Sequence, residues 1–305
     1  SYETKDGMTY IVKLRHGAIW SDGFPITADD VVFTWKDIIL AGLGNTSIRD
    51  MVIIDGKLPQ VYKVDDYTVK FVVSKPFSPF LRLLSTQIAP KHIFAPVVKQ
   101  GQKAFDSFYS TNTNPSDFVT SGPFKLKEYK AAQRVVFVRN PDYYMINKQN
   151  KKLPYLDKVV YLIVGDLNNE ILKFEAKEID VIGLRGSNVA PYKSKEAKSD
   201  YRIYNIGPDT GTMFLVLNLN KRKSLDTNYY VQPEKQFFRT AIDYAIDRKS
   251  MVQNIANGLA KPLFTAESLN SIFLNKNIKG HDRDLNKSRS LLKASGFHIG
   301  KNNKL

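Results

Sequence analysis

The chain contains no cysteine. That absence excludes a disulfide framework, a cysteine-ligated zinc, an iron–sulfur cluster and a thiol nucleophile. It leaves the compartment open. Histidine is nearly as scarce: the four residues at 16, 92, 281 and 298 share no i, i+3 or i, i+4 spacing, so the sequence marks no metal site. No apolar run approaches the ~20 residues of a membrane-spanning helix. The best candidate, 213–217, has the length of a strand. The chain opens at Ser1 with neither an initiator methionine nor the apolar core of a signal peptide, the expectation for a processed chain or a fragment. There is no Gly-x-Ser-x-Gly elbow and no P-loop lysine pattern, and Gly42-Leu43-Gly44 lacks the third glycine of a dinucleotide fingerprint. Nothing in this inventory requires an enzyme.

Acidic charge is also short: 45 Lys and Arg oppose 30 Asp and Glu, for a net charge of +15. Lysine outnumbers arginine 33 to 12. The cations are scattered, with the densest stretches at 148–152 and 193–198. A nucleic-acid binder gathers Arg and Lys on one face with aromatics between them, and Tyr143-Tyr144 beside Arg139 is the nearest approach to that here. The pattern reads as a lysine-coated, solvated surface. Weak attraction to anionic lipid headgroups stands between the two readings.

What is present is the composition of a folded protein. At 305 residues and 43% hydrophobic, the chain has room for two domains or three small ones and for a large core. Tyr10, Val12 and Leu14 alternate with polar residues as a strand does. Asp22-Gly23 marks a turn, with Gly23 expected at positive φ and Trp20 in the core beside it. Thr27-Ala-Asp-Asp30 is a helix-capping sequence, and 31–39 continues at helical spacing. Adjacent carboxylates point apart on a helix, so Asp29 and Asp30 read as charges complementing the dipole rather than as a catalytic pair. Strands are expected at 68–73, 124–129, 135–139, 159–164 and 178–182, with one buried on both faces at 213–218. Between 76 and 96 four prolines restrict helices to short pieces. Asp166, Asp247 and Asp284 each precede a helical stripe, and 238–246 forms another. Arg248 has Asp180 and Asp243 as candidate ion-pair partners. Polar stretches at 101–122 and 219–233 are candidate boundaries. Strands and helices alternate throughout, which makes the chain mixed α/β.

One ordered string of motifs carries more than any single element. Residues 10–33, Tyr-Ile-Val-Lys-Leu-Arg-His-Gly-Ala-Ile-Trp-Ser-Asp-Gly-Phe-Pro-Ile-Thr-Ala-Asp-Asp-Val-Val-Phe, resemble the signature of the family 5 extracellular solute-binding proteins of ABC importers. Pro90-Lys-His-Ile-Phe94, Ser121-Gly-Pro-Phe-Lys125 and Arg139-Asn-Pro-Asp-Tyr-Tyr144 follow in family order. So do 174–181, with Lys177 where glycine is common, then 239–248 and 284–297. The resemblance runs almost from end to end. Family members are longer at both ends.

The resemblance implies a periplasmic-binding-protein-like two-lobe fold with an extra small domain, incomplete at both ends. The expected division is a small α/β domain at 1–119, the central part of the first ligand-binding lobe at 120–218, and the start of the second lobe at 219–305. It implies a non-enzymatic protein that captures oligopeptides or dipeptides between two lobes and delivers them to a membrane permease. Such a protein is a monomer without cofactor or metal, periplasmic or anchored to the outer face of the cell membrane. Thr210, Gly211, Thr212, Met213 and Phe214 are then expected beside the cleft. Backbone groups there would pair with a peptide main chain, and Met213 and Phe214 would either line an adaptable apolar pocket or serve as ordinary core. The acidic group that holds a peptide's amino terminus in the family belongs to a C-terminal region without counterpart here. Nickel complexes, haem and sugars are the minority solutes implied. The alternative outside the family is a basic nucleic-acid or membrane-surface binder.

Overall fold

The computed structural model describes residues 1–207, 211–219 and 235–297. They form two compact units, Ser1–Asp180 and Val181–Leu305. The expected boundary stretch 219–233 lies, after residue 219, outside the described residues.

The first unit starts with strands β1 (Tyr2–Glu3) and β2 (Thr9–Lys13). Helix α1 (Ala28–Phe33) runs on through a π-type turn at Thr34–Ile39, and α2 (Ser47–Met51) follows. Strands β3 (Gln60–Asp65) and β4 (Thr68–Val72) complete an antiparallel sheet in the order β1-β2-β4-β3. Period two puts Val69 and Phe71 of β4, and Val73 just after it, on the buried side, and Tyr10 stands opposite Phe71 in the ladder. Trp35 from the π-type turn packs edge-on against Phe71 with centroids 5.1 Å apart, and Phe80 closes the aromatic cluster 4.9 Å from Tyr10. The β3 strand was not expected from sequence. Its residues Gln60, Tyr62 and Lys63 are exposed and polar enough to hide the alternation around Val61.

The Thr27 cap forms as its sequence predicts. The Thr27 hydroxyl accepts the Asp29 N–H at 3.3 Å and Asp30 Oδ2 accepts the Thr27 N–H at 2.9 Å. Trp20 is buried beside Ala18 and Ile26, and Gly23 takes φ +90° in the turn that follows. The proline-rich stretch yields the expected short helices, α3 (Phe80–Leu83) and α4 (Lys91–Lys99), and a further short helix, α5 (Gln102–Ser107), falls in the polar stretch after it.

A second antiparallel sheet follows, with strands β5 (Phe124–Lys130), β6 (Arg134–Arg139) and β7 (Lys158–Leu162) in that order. The Arg139-Asn-Pro motif makes its corner. Asn140 is buried, donates to Gly122 O at 2.9 Å and accepts the Asp142 N–H at 3.2 Å. Arg139 donates to Tyr155 O at 2.8 Å and pairs with Asp157 at 2.6 Å. Helix α6 (Leu167–Glu175) begins at Asp166, whose carboxylate accepts the N–H groups of Asn168 and Asn169. It closes at Lys177, which adopts φ +60°. That left-handed backbone explains why glycine suits this place in the family motif: a side chain there crowds the neighbouring carbonyl.

The expected strand at 178–182 is absent, and Val181 is 85% exposed. A strand exists only through a ladder partner, and no ladder among the described residues includes this segment.

The second unit contains α7 (Gly186–Lys195), α8 (Gln236–Ala245), α9 (Arg248–Asn254) and α10 (Leu285–Ala294). Helices α8 and α10 pack together. The buried Ser288 hydroxyl donates to Ala241 O at 2.8 Å, and Phe297 meets Phe238 at 6.1 Å. Asp247 and Asp284 cap their helices as expected, and Gly258 ends the turn after α9 at φ +74°.

Candidate functional site

Four of the five expected ligand-contacting residues are described, and Thr210 lies outside the described residues. Gly211, Thr212, Met213 and Phe214 are consecutive on a segment, 211–219, that carries no regular secondary structure. The expectation of a strand buried on both faces is overturned. Met213 is 91% and Phe214 73% exposed, and Leu215 and Val216 are exposed as well. The apolar run is real but apolarity alone does not bury a strand. Burial needs a sheet to join and layers above and below it, and neither described sheet takes in 211–219. The segment therefore presents a row of apolar side chains outward.

The polar cluster of the second unit is built on Asp243 near the end of α8. Its carboxylate pairs with Arg248 at the start of α9 and accepts from His281 Nδ1 at 2.6 Å. Burial works to raise the Asp243 carboxyl, and the hydrogen bonds from His281 and Arg248 outweigh it, so the group sits below the usual carboxylate range. Tyr244 lies tilted against His281 with ring centroids 4.2 Å apart, and the Arg248 guanidinium lies 5.2 Å from the Phe264 ring centre. The sequence offered Asp243 for Arg248. It gave no signal for His281, which arrives from 38 residues along the chain. A cavity of about 130 Å³ opens beside this cluster. The cations on its wall are matched: Arg283 by Asp247 at 3.3 Å and Lys249 by Asp282 at 3.0 Å. The cluster joins elements; it presents no unmatched charge to a solute. Gly280 also sits tightly here, since a Cβ would lie 1.8 Å from the Phe264 ring.

The first unit has an open groove of about 490 Å³ between the Trp20–Pro25 turn and α4. Phe24 stacks on His92 at 4.1 Å, and His92 Nε2 meets Asp22 at 2.7 Å. On the groove's far side Asp29 pairs with Lys63 at 2.5 Å and Lys91 at 3.2 Å. Those partners hold the Asp29 carboxyl below its ordinary range, chiefly through the Lys63 hydrogen bond. The adjacent carboxylates 29 and 30 thus do separate structural work, as their spacing implied.

Among the described residues no group of three or more His, Asp or Glu is placed to hold a metal ion. Among them also, no helix is long and apolar enough to cross a membrane.

Residues 1–305 match the family model described as bacterial extracellular solute-binding proteins, family 5 Middle. A probable ABC transporter-binding protein of Deinococcus radiodurans is 30% identical over 273 residues, covering 87% of this chain and 45% of the relative. The oligopeptide-binding protein OppA of Bacillus subtilis is 25% identical over 283 residues, covering 86% of this chain and 46% of its own length. Among solved structures, Bacillus subtilis AppA in complex with a nonapeptide superposes with a TM-score of 0.72 at 26% identity. That match covers 99% of this chain and 55% of AppA. The chain spans about half the length of the relatives it matches. Its mixed helix-and-strand architecture is that of part of the periplasmic-binding-protein fold of this family.

Proposed function

The chain belongs to the bacterial extracellular solute-binding proteins of family 5, and on that premise we propose that it is part of a protein that captures oligopeptides or dipeptides between two lobes and delivers them to an ABC-importer permease. Members of the family are extracellular or periplasmic binding proteins. The observation that carries the peptide assignment is the 211–219 segment. It offers exposed Met213 and Phe214 next to the main chain of Gly211 and Thr212, and a relative of the same fold holds a nonapeptide. Main-chain hydrogen bonds to an extended peptide do not depend on the peptide's sequence. Methionine adapts its shape to varied side chains. Thr210, Gly211 and Thr212 would then contribute main-chain groups, and Met213 and Phe214 the apolar wall.

The same reading makes the protein a monomer that breaks no bond and uses no cofactor, located in the periplasm or anchored outside the cell membrane. Ligand binding shifts an open–closed equilibrium between lobes. The division at 1–119, 120–218 and 219–305 belongs to this proposal.

Native mass spectrometry of the purified full-length protein, before and after unfolding and refolding, tests it. A mixed set of peptide-sized adducts that leaves on unfolding is the expected result. A single nickel-complex, haem or sugar mass would move the protein to another solute class. No adduct, with no mass gain from an added peptide pool, would overturn peptide capture.

A further inference from the structure

Between the corner at Asn140 and strand β7 the chain makes a spur that the peptide-binding reading does not use. It is a hairpin, bridged at Ile146 and Lys152. Its tip is held by one side chain: Asn147 Oδ1 accepts the N–H groups of Gln149 at 2.9 Å and Lys151 at 2.8 Å. The main chain closes the same turn, with the Asn147 N–H on Lys151 O at 2.9 Å. The spur is therefore a formed structure and not a loose loop. Its composition is one-sided. Residues 143–156 contain three lysines and three tyrosines and no Asp or Glu; the spur's two carboxylates, Asp142 and Asp157, lie at its base, where Asp157 pairs with Arg139 at 2.6 Å. Lys148 and Lys151 stand exposed at the tip. Below them Met145, Ile146 (51% exposed) and Tyr155 (64%) show apolar surface to solvent.

From this juxtaposition we infer that the 143–156 hairpin docks on an anionic lipid surface, with Lys148 and Lys151 among the headgroups and Ile146, Met145 and Tyr155 at the boundary with the acyl chains. Aliphatic and aromatic side chains next to lysines, without carboxylates, match a surface that is negative outside and apolar just beneath. Lysine stems lie along the apolar boundary while their ammonium groups stay with the phosphates. A polynucleotide would use the lysines but gains nothing from exposed Ile146 and Met145. The net charge of +15 on these 305 residues favours approach to such a surface, and the hairpin determines which part touches it. A protein that serves a membrane permease gains from a weak, reversible hold of this kind, but the inference stands on the hairpin and not on peptide capture.

Sedimentation of the full-length protein with vesicles tests it, comparing phosphatidylglycerol mixed into phosphatidylcholine with phosphatidylcholine alone. Binding is expected to the anionic vesicles only. Lys148→Glu with Lys151→Glu should lower the partition about tenfold or more. Met145→Ser with Ile146→Ser should lower it about fivefold while leaving the attraction of the charges. Circular dichroism and melting verify that each variant is folded. Lys195→Glu with Lys198→Glu makes the same change in net charge on exposed residues elsewhere and should shift the partition less than about twofold. Equal loss in that control would show a global charge effect and overturn the assignment. No preference for anionic vesicles would overturn it as well, as would a lysine variant that lost only polynucleotide affinity.

Discussion

Asp30 and Lys91 are joined by a hydrogen bond from the Lys91 N–H to Asp30 Oδ1 at 2.9 Å, across 61 residues of sequence. The other oxygen of the same buried carboxylate closes the cap of its own helix on the Thr27 N–H. One side chain thus ends two searches for a partner, at the starts of α1 and α4. Thr34 supports the same junction, accepting the Ala89 N–H at 2.8 Å. Asp30→Ala would leave two backbone donors without their acceptor. The loss of a cap together with a stranded buried donor amounts to about 2–4 kcal/mol. Urea unfolding should show the unfolding free energy falling by that amount, and a change under about 0.5 kcal/mol would place the junction's strength elsewhere.

Asp243 sets a pH dependence in the second unit. Its folded-state pKa lies below its ordinary value of 3.8, through the hydrogen bonds from His281 and Arg248 against the opposing effect of burial. A depressed carboxyl adds stability that is present above the unfolded pKa and is lost as pH falls through the folded one. The stability gap between the wild type and Asp243→Asn should therefore be widest near neutrality and shrink below about pH 4. Melting curves of both proteins across that range measure it. A gap that stayed constant down to pH 2 would mean that the carboxylate's charge contributes nothing.

The proposed role of Met213 and Phe214 can be separated from folding. Both are exposed, so Met213→Ser with Phe214→Ser should alter unfolding free energy by less than about 0.5 kcal/mol. Removing the apolar wall from a peptide site should weaken peptide affinity about tenfold or more. Calorimetry with a peptide that the wild type retains, alongside a urea titration, reads both quantities. Unchanged affinity in a folded variant would remove these two residues from the site.

The legible parts of this protein were those governed by neighbours in sequence. The Thr27–Asp30 cap, the Asp166, Asp247 and Asp284 caps, the Gly23 turn and the β4 alternation all arose from residues within a few positions of one another. The family motifs followed the same logic: the Arg139-Asn-Pro corner and the left-handed Lys177 turned out to be local backbone solutions. What misled was apolarity taken as burial. The alternation at 178–182 and the apolar run at 213–218 looked like strands, but a strand's hydrogen bonds and its cover come from other segments.

By itself, then, the sequence determined the family, the mixed α/β class, the helix starts and the excess of positive charge. Each depends on residue type and short spacing. Only the tertiary structure decided that Asp30 reaches Lys91, that His281 joins Asp243, and that 143–156 stands out as a basic, apolar spur. It also decided that Met213 and Phe214 face outward. Those relationships depend on which distant segments meet, and no periodicity in the chain encodes that.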